Sequence, residues 1–352
     1  MGNDRPQGGP PPAPTLEDVA RVAGVSRATV SRVINSIRNV DPQLQETVRA
    51  AVAATGYVPN RAARSLVTRR TGSIALVVSE PEHRSFDDPF VGRVFTDPFF
   101  GRVVTGVLGV LRPRGVSLLL MLAENDEART QLAGYLRQGH ADGVVLISTH
   151  VQDPLPGLLA DAGVPVVLSR RPSAPIPVSY VDAAQQAGAV LAADRLAQRG
   201  CRLVATISGP LDMPAGQDRL EGFRAGMARR GQPYVPSVEG NFTQESGERA
   251  MERILAEHPD VDGVFAANDL MAQGALHVLR DRGVRVPQDM AVIGFDDGIV
   301  AQACRPPLTT IRQPVEDMAA EMARLLLTHI EQPDQRPASV IFEPELVVRE
   351  SA

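Results

Sequence analysis

From Ser73 onward, short runs of Val, Ile and Leu alternate with amphipathic helical stretches: SIALVVS, VSLLLMLA, GVVLIS and PVVLS, then LVATIS, GVFAAN and MAVIGFDD. This alternation limits the fold more than any other feature of the chain. A strand apolar at every position, rather than at every second one, has both faces covered, as in parallel sheets sandwiched between helices. Roughly 250 residues of the pattern suit two doubly wound parallel-sheet lobes better than one oversized sheet. The body is therefore expected to be α/β.

The first 72 residues read differently. Residues 1–14 (MGNDRPQGGPPPAP) are Gly/Pro-rich and polar, with nothing to bury, and read as a disordered arm. A helical period then begins at Thr15. Leu16, Val19, Ala20 and Ala23 fall on one face, with Thr15 as N-cap and Asp18 in the capping-box position. Gly24 ends this helix and Ser26 caps the next, leaving only a tight turn. Val30, Val33 and Ile34 form the second helix's apolar stripe, and a third helix lies between Asp41-Pro42 and Gly56 with Leu44, Val48 and Val52 inward. Charge divides at the same place. Residues 1–71 hold 10 Arg against 5 acidic residues, a net of +5, whereas the remainder nets −10. A basic head on an acidic body points to a polyanion at the head alone. The basic residues are all Arg, which genomic base composition also explains, so Arg enrichment by itself says nothing of DNA.

On a helical wheel of ~100° per residue, Arg27, Ser31, Asn35, Ala28 and Arg32 share one side of the second helix and Val30, Val33 and Ile34 the other. That arrangement suits a helix that reads the major groove, with an apolar anchor behind and bidentate donors in front. An ordinary solvated charged face has the same wheel; the Gly-turn-Ser joint and the basic head favour DNA. The segment TLEDVARVAGVSRATVSRVIN resembles the DNA-binding signature of the lactose-repressor (LacI/GalR) family of bacterial transcription regulators. The likeness continues through GYVPNRAARSL and across the body to nearly the end of the chain. It implies that Arg27, Ala28 and Arg32 face base edges and that Thr29, Ser31, Asn35 and Asn39 lie near phosphates, with Thr15, Ser26, Asn60 and Ala63 completing the DNA-facing set. Ala28 departs from the polar base reader that members often carry there, which shifts discrimination to Arg27 and Arg32. The stretch from Asn60 to Val67, too short to be a stable helix alone, resembles the family's hinge helix, with Leu66 as the minor-groove wedge. Without the resemblance, Leu66 reads as linker packing.

For the body the resemblance implies the periplasmic-binding-protein type I fold, two lobes hinged over an effector cleft. Ligands in open α/β sheets sit beyond the carboxyl ends of strands, and polar or aromatic residues gather there. Phe99 and Phe100 follow Asp97-Pro98 at a helix start, where they can stack on a ring or staple the helix. Arg170 ends a strand. Arg219 matches the family's central ligand-binding Arg; without the resemblance, a surface ion pair with Asp218 or Glu221 is the favoured reading. Phe242 matches an aromatic that closes over the ligand. Asn268 and Asp269 sit where N-caps are also expected. Asp296, beside Asp297, is the carboxylate expected to accept ligand hydroxyls. This set suits a neutral polyol, and Met213 disfavours a nucleobase. Glu80 to Phe95 reads as an insertion at the pocket mouth, either admitting a di- or oligosaccharide or forming a solvent loop.

The expected organisation is an arm (1–14), a helix-turn-helix DNA-binding domain (15–59), a hinge and linker (60–72) and an effector-binding and dimerisation domain (73–352). Lobe 1 is placed at about 73–169 and 302–328, lobe 2 at about 170–301 and 329–352. The function expected is a cytoplasmic homodimeric repressor, released from a pseudo-palindromic double-stranded DNA operator by a sugar. Alternatives are a purine or phosphorylated metabolite as effector or corepressor, and, more distantly, a sugar-binding module without a regulatory role. No GxSxG, P-loop, HExxH or CxxC motif occurs, so neither catalysis nor a cofactor is expected. Cys201 and Cys304 make neither a disulfide framework nor a Cys-based metal site. No membrane span is expected, nor a tetramer-forming Leu heptad after the last strand.

Overall fold

The computed structural model describes residues 14–34, 40–58, 70–80, 90–148, 150–173 and 175–352. The expectations for residues 1–13, Asn35, Asn39, Asn60, Ala63 and Leu66 lie outside the described residues, as does most of the Glu80–Phe95 segment. The chain divides into two compact units, Met1–Gly72 and Ser73–Ala352.

In the first unit, α1 (Leu16–Ala23), α2 (Arg27–Ile34) and α3 (Pro42–Thr55) surround a small core of Val19, Val30, Val48 and Ala51. Each boundary has a local cause. Thr15 and Asp18 form a reciprocal capping box, and Gly24 closes α1 at φ 66°. Ser26 Oγ accepts from Thr29 N at 3.2 Å at the start of α2, and Asp41 accepts from Gln43 N and Leu44 N at the start of α3.

The second unit holds two six-stranded sheets, each with its own cores. The first orders β11 (Ser339–Phe342), β5 (Ser179–Ala183), β4 (Val166–Leu168), β3 (Gly143–Ser148), β1 (Ser73–Ser79) and β2 (Ser117–Ala123), all parallel. The second orders β12 (Glu345–Val347), β10 (Thr309–Arg312), β9 (Ala291–Asp296), β8 (Gly263–Ala266), β6 (Val204–Ser208) and β7 (Ser237–Glu239), parallel except for β12 against β10. β1 and β6 are buried along their whole length, as continuous apolar runs require.

Lobe crossings fall elsewhere than the sequence reading placed them. β5 follows position 170 yet pairs in the first sheet, β10 follows position 302 yet pairs in the second, and β11 follows position 329 yet returns to the first. The cause is strand character. β5 (SYVDA) alternates buried with half-buried residues, and β11 is a partly exposed edge, so neither shows the solid apolar run that marked the central strands.

Four helices position the site. α5 (Pro98–Leu111) packs on α13 (Val315–Glu331) through Val103, Val107, Met318 and Ala319. α9 (Pro214–Arg229) and α11 (Asp269–Asp281) begin at the carboxyl edge of the second sheet. Short α4 (Phe90–Thr96) runs into α5.

Candidate functional site

On α2, the side chains of Arg27, Ala28 and Arg32 are exposed and those of Thr29 and Ser31 are half-buried, while Val30 is buried against α1 and α3. One face is thus anchored and the other is offered. Arg27 Nε lies 3.1 Å from Glu17 Oε1, and both side chains are largely exposed. Such a pair contributes little, ~0–1 kcal/mol, so its guanidinium is available for another acceptor. Thr15 and Ser26 use their hydroxyls as helix caps.

In the second unit, all seven residues singled out for an effector line one cleft of about 290 Å³: Phe99, Phe100, Arg170, Arg219, Phe242, Asn268 and Asp296. They come from the ends of β4, β8 and β9, the starts of α5 and α9, and the loop after β7. Asp97 Oδ1 accepts from Phe99 N at 2.9 Å, fixing the start of α5 and with it the Phe pair, whose rings meet edge to face at 5.4 Å. The helix-capping and cleft-lining readings of this segment therefore coexist.

Arg219 is buried, not paired on the surface; Asp218 and Glu221 accept from Gln186 instead. Arg219 Nε donates to Gln185 Oε1 at 2.8 Å and Nη1 to the carbonyl of Ala267. Its Nη2 lies 3.6 Å from Asp296 Oδ1, and its Cζ stands 3.7 Å over the centroid of Phe295. Burial pulls its pKa down to about 10, which leaves it charged near neutrality.

Asp296 ends β9 at φ 112°, a conformation a non-Gly residue holds only under constraint. The constraint comes from the first lobe. Arg102, on α5, donates to the carbonyl of Asp296 at 2.8 Å while its guanidinium forks onto Glu316 at 2.7 and 2.8 Å. Gln313 Nε2 donates to Asp296 Oδ1 at 2.5 Å. Burial pushes the Asp296 carboxyl up, and Arg219 opposes that. Asp297 points elsewhere, paired with Arg312 and Arg349. Asp269 is buried behind the cleft, accepting from Thr310 and Gly298.

Asn268 serves two structural duties: Oδ1 accepts from Met271 N to cap α11, and Nδ2 donates to the carbonyl of Phe242 at 2.9 Å. Phe242 sits at φ 68°, its ring packed where any side chain on Gly209 would stand, about 2.3 Å from a Cβ there. Arg170 differs from the rest. Its Nη1 is buried without a hydrogen-bond partner among the described residues, and an unmade bond of that kind costs ~1–3 kcal/mol.

The sequence reading missed Asp97 as a cleft group, Gln313, and the Asn241 to Glu245 flank of Phe242. Asp97 was visible only as a cap, and Gln313 carries no local signal, being an isolated amide between β10 and α13. The cleft sets two guanidiniums, carboxylates and three phenyl rings around one space, which fits an uncharged ligand with hydroxyls and a stackable face. Among the described residues no group of His, Cys, Asp and Glu is arranged to hold a metal ion, and no helix is long and apolar enough to cross a membrane.

Comparison with known proteins agrees with this division. Residues 15–60 match the model described as bacterial regulatory proteins, lacI family, and residues 193–352 match a periplasmic binding protein-like domain. The HTH-type transcriptional regulator CelR of Thermobifida fusca is 47% identical over 343 residues, covering 96% of this chain and 98% of that protein. A solved CelR–cellobiose complex superposes with a TM-score of 0.74 at 44% identity, covering 96% of this chain and all of that one (100%). The lac repressor dimer bound to operator and the anti-inducer ONPF gives a TM-score of 0.80 at 26% identity, covering 97% and 99%. The chain belongs to the lacI family of bacterial regulatory proteins.

Proposed function

We propose that the chain is a sequence-specific transcriptional repressor, acting as a cytoplasmic homodimer on a pseudo-palindromic operator and released when a neutral sugar of the cellobiose class binds between the lobes. It has no catalytic step of its own in this reading. One short reading helix offers too few base contacts for tight specificity, so two heads on two half-sites are needed. The effector reading rests above all on Arg170: a buried, unpartnered N–H in a cleft walled by Asp296, Arg219 and Phe242 awaits a neutral acceptor. A ring with hydroxyls supplies that acceptor, donates to Asp296 and stacks on phenyl faces. An anion would meet Asp296 and Glu245, and Met213 gives a purine edge nothing to bond. Likeness to a regulator solved with cellobiose supports the same class.

The test is a thermal-shift series on the full chain with mono- and disaccharides, sugar phosphates and purines, followed by operator-release measurements. A ligand at 100 times its Kd adds ~2.7 kcal/mol of stability, a clear shift. A selective response to a neutral disaccharide that also loosens the operator complex is expected. A shift from purines or phosphates alone would overturn the assignment of Arg170, Arg219 and Asp296.

A further inference from the structure

Arg102 is not part of the cleft lining. It stands beside the cleft, in a recess of about 20 Å³ that it shares with Asp97, Asn268 and Asp296. Its side chain is 19% exposed and makes four hydrogen bonds. Nε and Nη2 fork onto Glu316, Nη1 donates to the Asp296 carbonyl at 2.8 Å, and Nη2 also donates to the Gln313 carbonyl at 3.4 Å. Only a planar guanidinium holds three such partners at once.

Both carbonyls belong to residues that line the cleft. Asp296 ends β9 in the second sheet, and Gln313 lies where the chain crosses from β10 to α13 of the first lobe. Their side chains meet, Gln313 Nε2 donating to Asp296 Oδ1 at 2.5 Å. At φ 112° the Asp296 backbone has no intrinsic preference for its conformation, so the bond on its carbonyl fixes the peptide that aims the carboxylate. Charge acts in the same sense. Burial pushes the Asp296 carboxyl up, while Arg219, the Gln313 amide, Arg102 and Arg170 hold it down. Asp97 and Asp269 are the other carboxyls that face it.

We infer that Arg102 is a positioning residue of the effector site: from the first lobe, and without touching the ligand, it keeps Asp296 and Gln313 aimed at a sugar's hydroxyls, so that sugar affinity depends on the lobe arrangement in which this grip is made. The inference rests on the sugar reading of the cleft. The four bonds run from protein to protein, so the grip needs no ligand to form. A turn of the second lobe against α5 draws the Asp296 carbonyl away from Arg102, and the carboxylate loses its aim with it.

The test is calorimetric titration of the full chain with cellobiose at pH 8 and pH 5, for the native protein, Arg102→Met, Arg102→Lys and Glu316→Gln. Met keeps the long stem and loses the charge and every donor. At pH 8, Arg102→Met is expected to bind cellobiose about tenfold more weakly than native, the scale of one lost charged hydrogen bond. At pH 5 the loss should deepen. Without Arg102, burial moves the protonation of Asp296 upward, and a protonated carboxyl accepts fewer hydroxyls. Arg102→Lys keeps the charge and loses the fork, so its loss should not deepen at pH 5. Saturating operator DNA should weaken cellobiose binding by a smaller factor in Arg102→Met than in the native protein. Glu316→Gln, at a half-buried position outside the cleft, loosens one side of the fork and should weaken cellobiose a few-fold; it decides the matter if Arg102→Met does not fold. Unchanged cellobiose affinity in the variant that folds overturns the inference and leaves the sugar reading standing. A loss that is equal at both pH values and leaves the operator factor unchanged does the same, because it marks a merely structural role. A native protein that does not bind cellobiose overturns the sugar reading and the inference with it.

Discussion

Asp97 has two roles that pull against each other. As the N-cap of α5 it accepts from Phe99 N, which favours the carboxylate, yet it is held in a cleft where burial and nearby Asp296 push its pKa up to about 7. The folded protein keeps this proton to about pH 7, whereas the unfolded chain releases it near 3.8. Stability contributed by the protonated form is present at low pH and falls as pH rises across that window. Asn caps a helix as well as Asp and carries no charge. Asp97→Asn is therefore expected to raise Tm at pH 8, by about 5 °C on the usual scaling, with the gain shrinking toward pH 4. Melting curves at the two pH values decide it, and a gain independent of pH would place the carboxyl's titration outside this window. Asp97 also shows how residue-level reading stops short. Its capping role follows from the Asp-Pro-Phe-Phe order, but the Asp296 charge beside it comes from nearly two hundred residues away. Arg219 is the stronger case. Flanked by Asp218 and Glu221 it reads as a surface residue, and what buries it is Phe295 and the Ala267 carbonyl, supplied by β9 and the end of β8.

At the scale of elements, α5 ties the lobes together, because Arg102 on it holds both Glu316 of α13 and the strained carbonyl of Asp296. That reach depends on how closely α5 and α13 approach, and two glycines of one helix separate the causes. A Cβ on Gly106 would lie about 2.2 Å from the carbonyl oxygen of Glu316, whereas one on Gly101 meets nothing within 4 Å. Gly106→Ala is expected to destabilise by ~1–3 kcal/mol through overpacking and to weaken effector binding by moving α13. Gly101→Ala, exposed on the same helix, is expected to stabilise by up to ~1 kcal/mol. Denaturant unfolding of the pair distinguishes a packing constraint from helix propensity; similar effects at both positions would sink the packing account. The central strands β1, β3, β6, β8 and β9 were legible because each lies in a largely apolar run. The lobe crossings were not, since the sheet that β5, β10 and β11 join is chosen by partners distant in sequence.

For the whole molecule, a sugar in the cleft can act on DNA only by binding one lobe arrangement better than another. The cleft has the parts for such a difference. Phe99, Phe100 and Arg170 approach from the first lobe and Arg219, Phe242 and Asp296 from the second, while Arg102 bridges them. A ligand touching both walls loses contacts whenever the lobes turn, and that loss is the free energy available to the operator site. Linkage then fixes a numerical relation for the proposed effector: if cellobiose lowers operator affinity by some factor, operator DNA must lower cellobiose affinity by the same factor. Moving the population from 99:1 to 1:99 needs a ratio of about 10⁴ between the two arrangements, so even a partial switch of about tenfold is measurable from either side. The expected result is a matched pair. Operator titrations with and without saturating cellobiose, and cellobiose titrations with and without saturating operator, should give the same factor of tenfold or more. Equal cellobiose affinities for the free and the operator-bound protein would mean that the cleft binds sugar without reporting it to the DNA, and the repressor reading would then have to find its effector elsewhere.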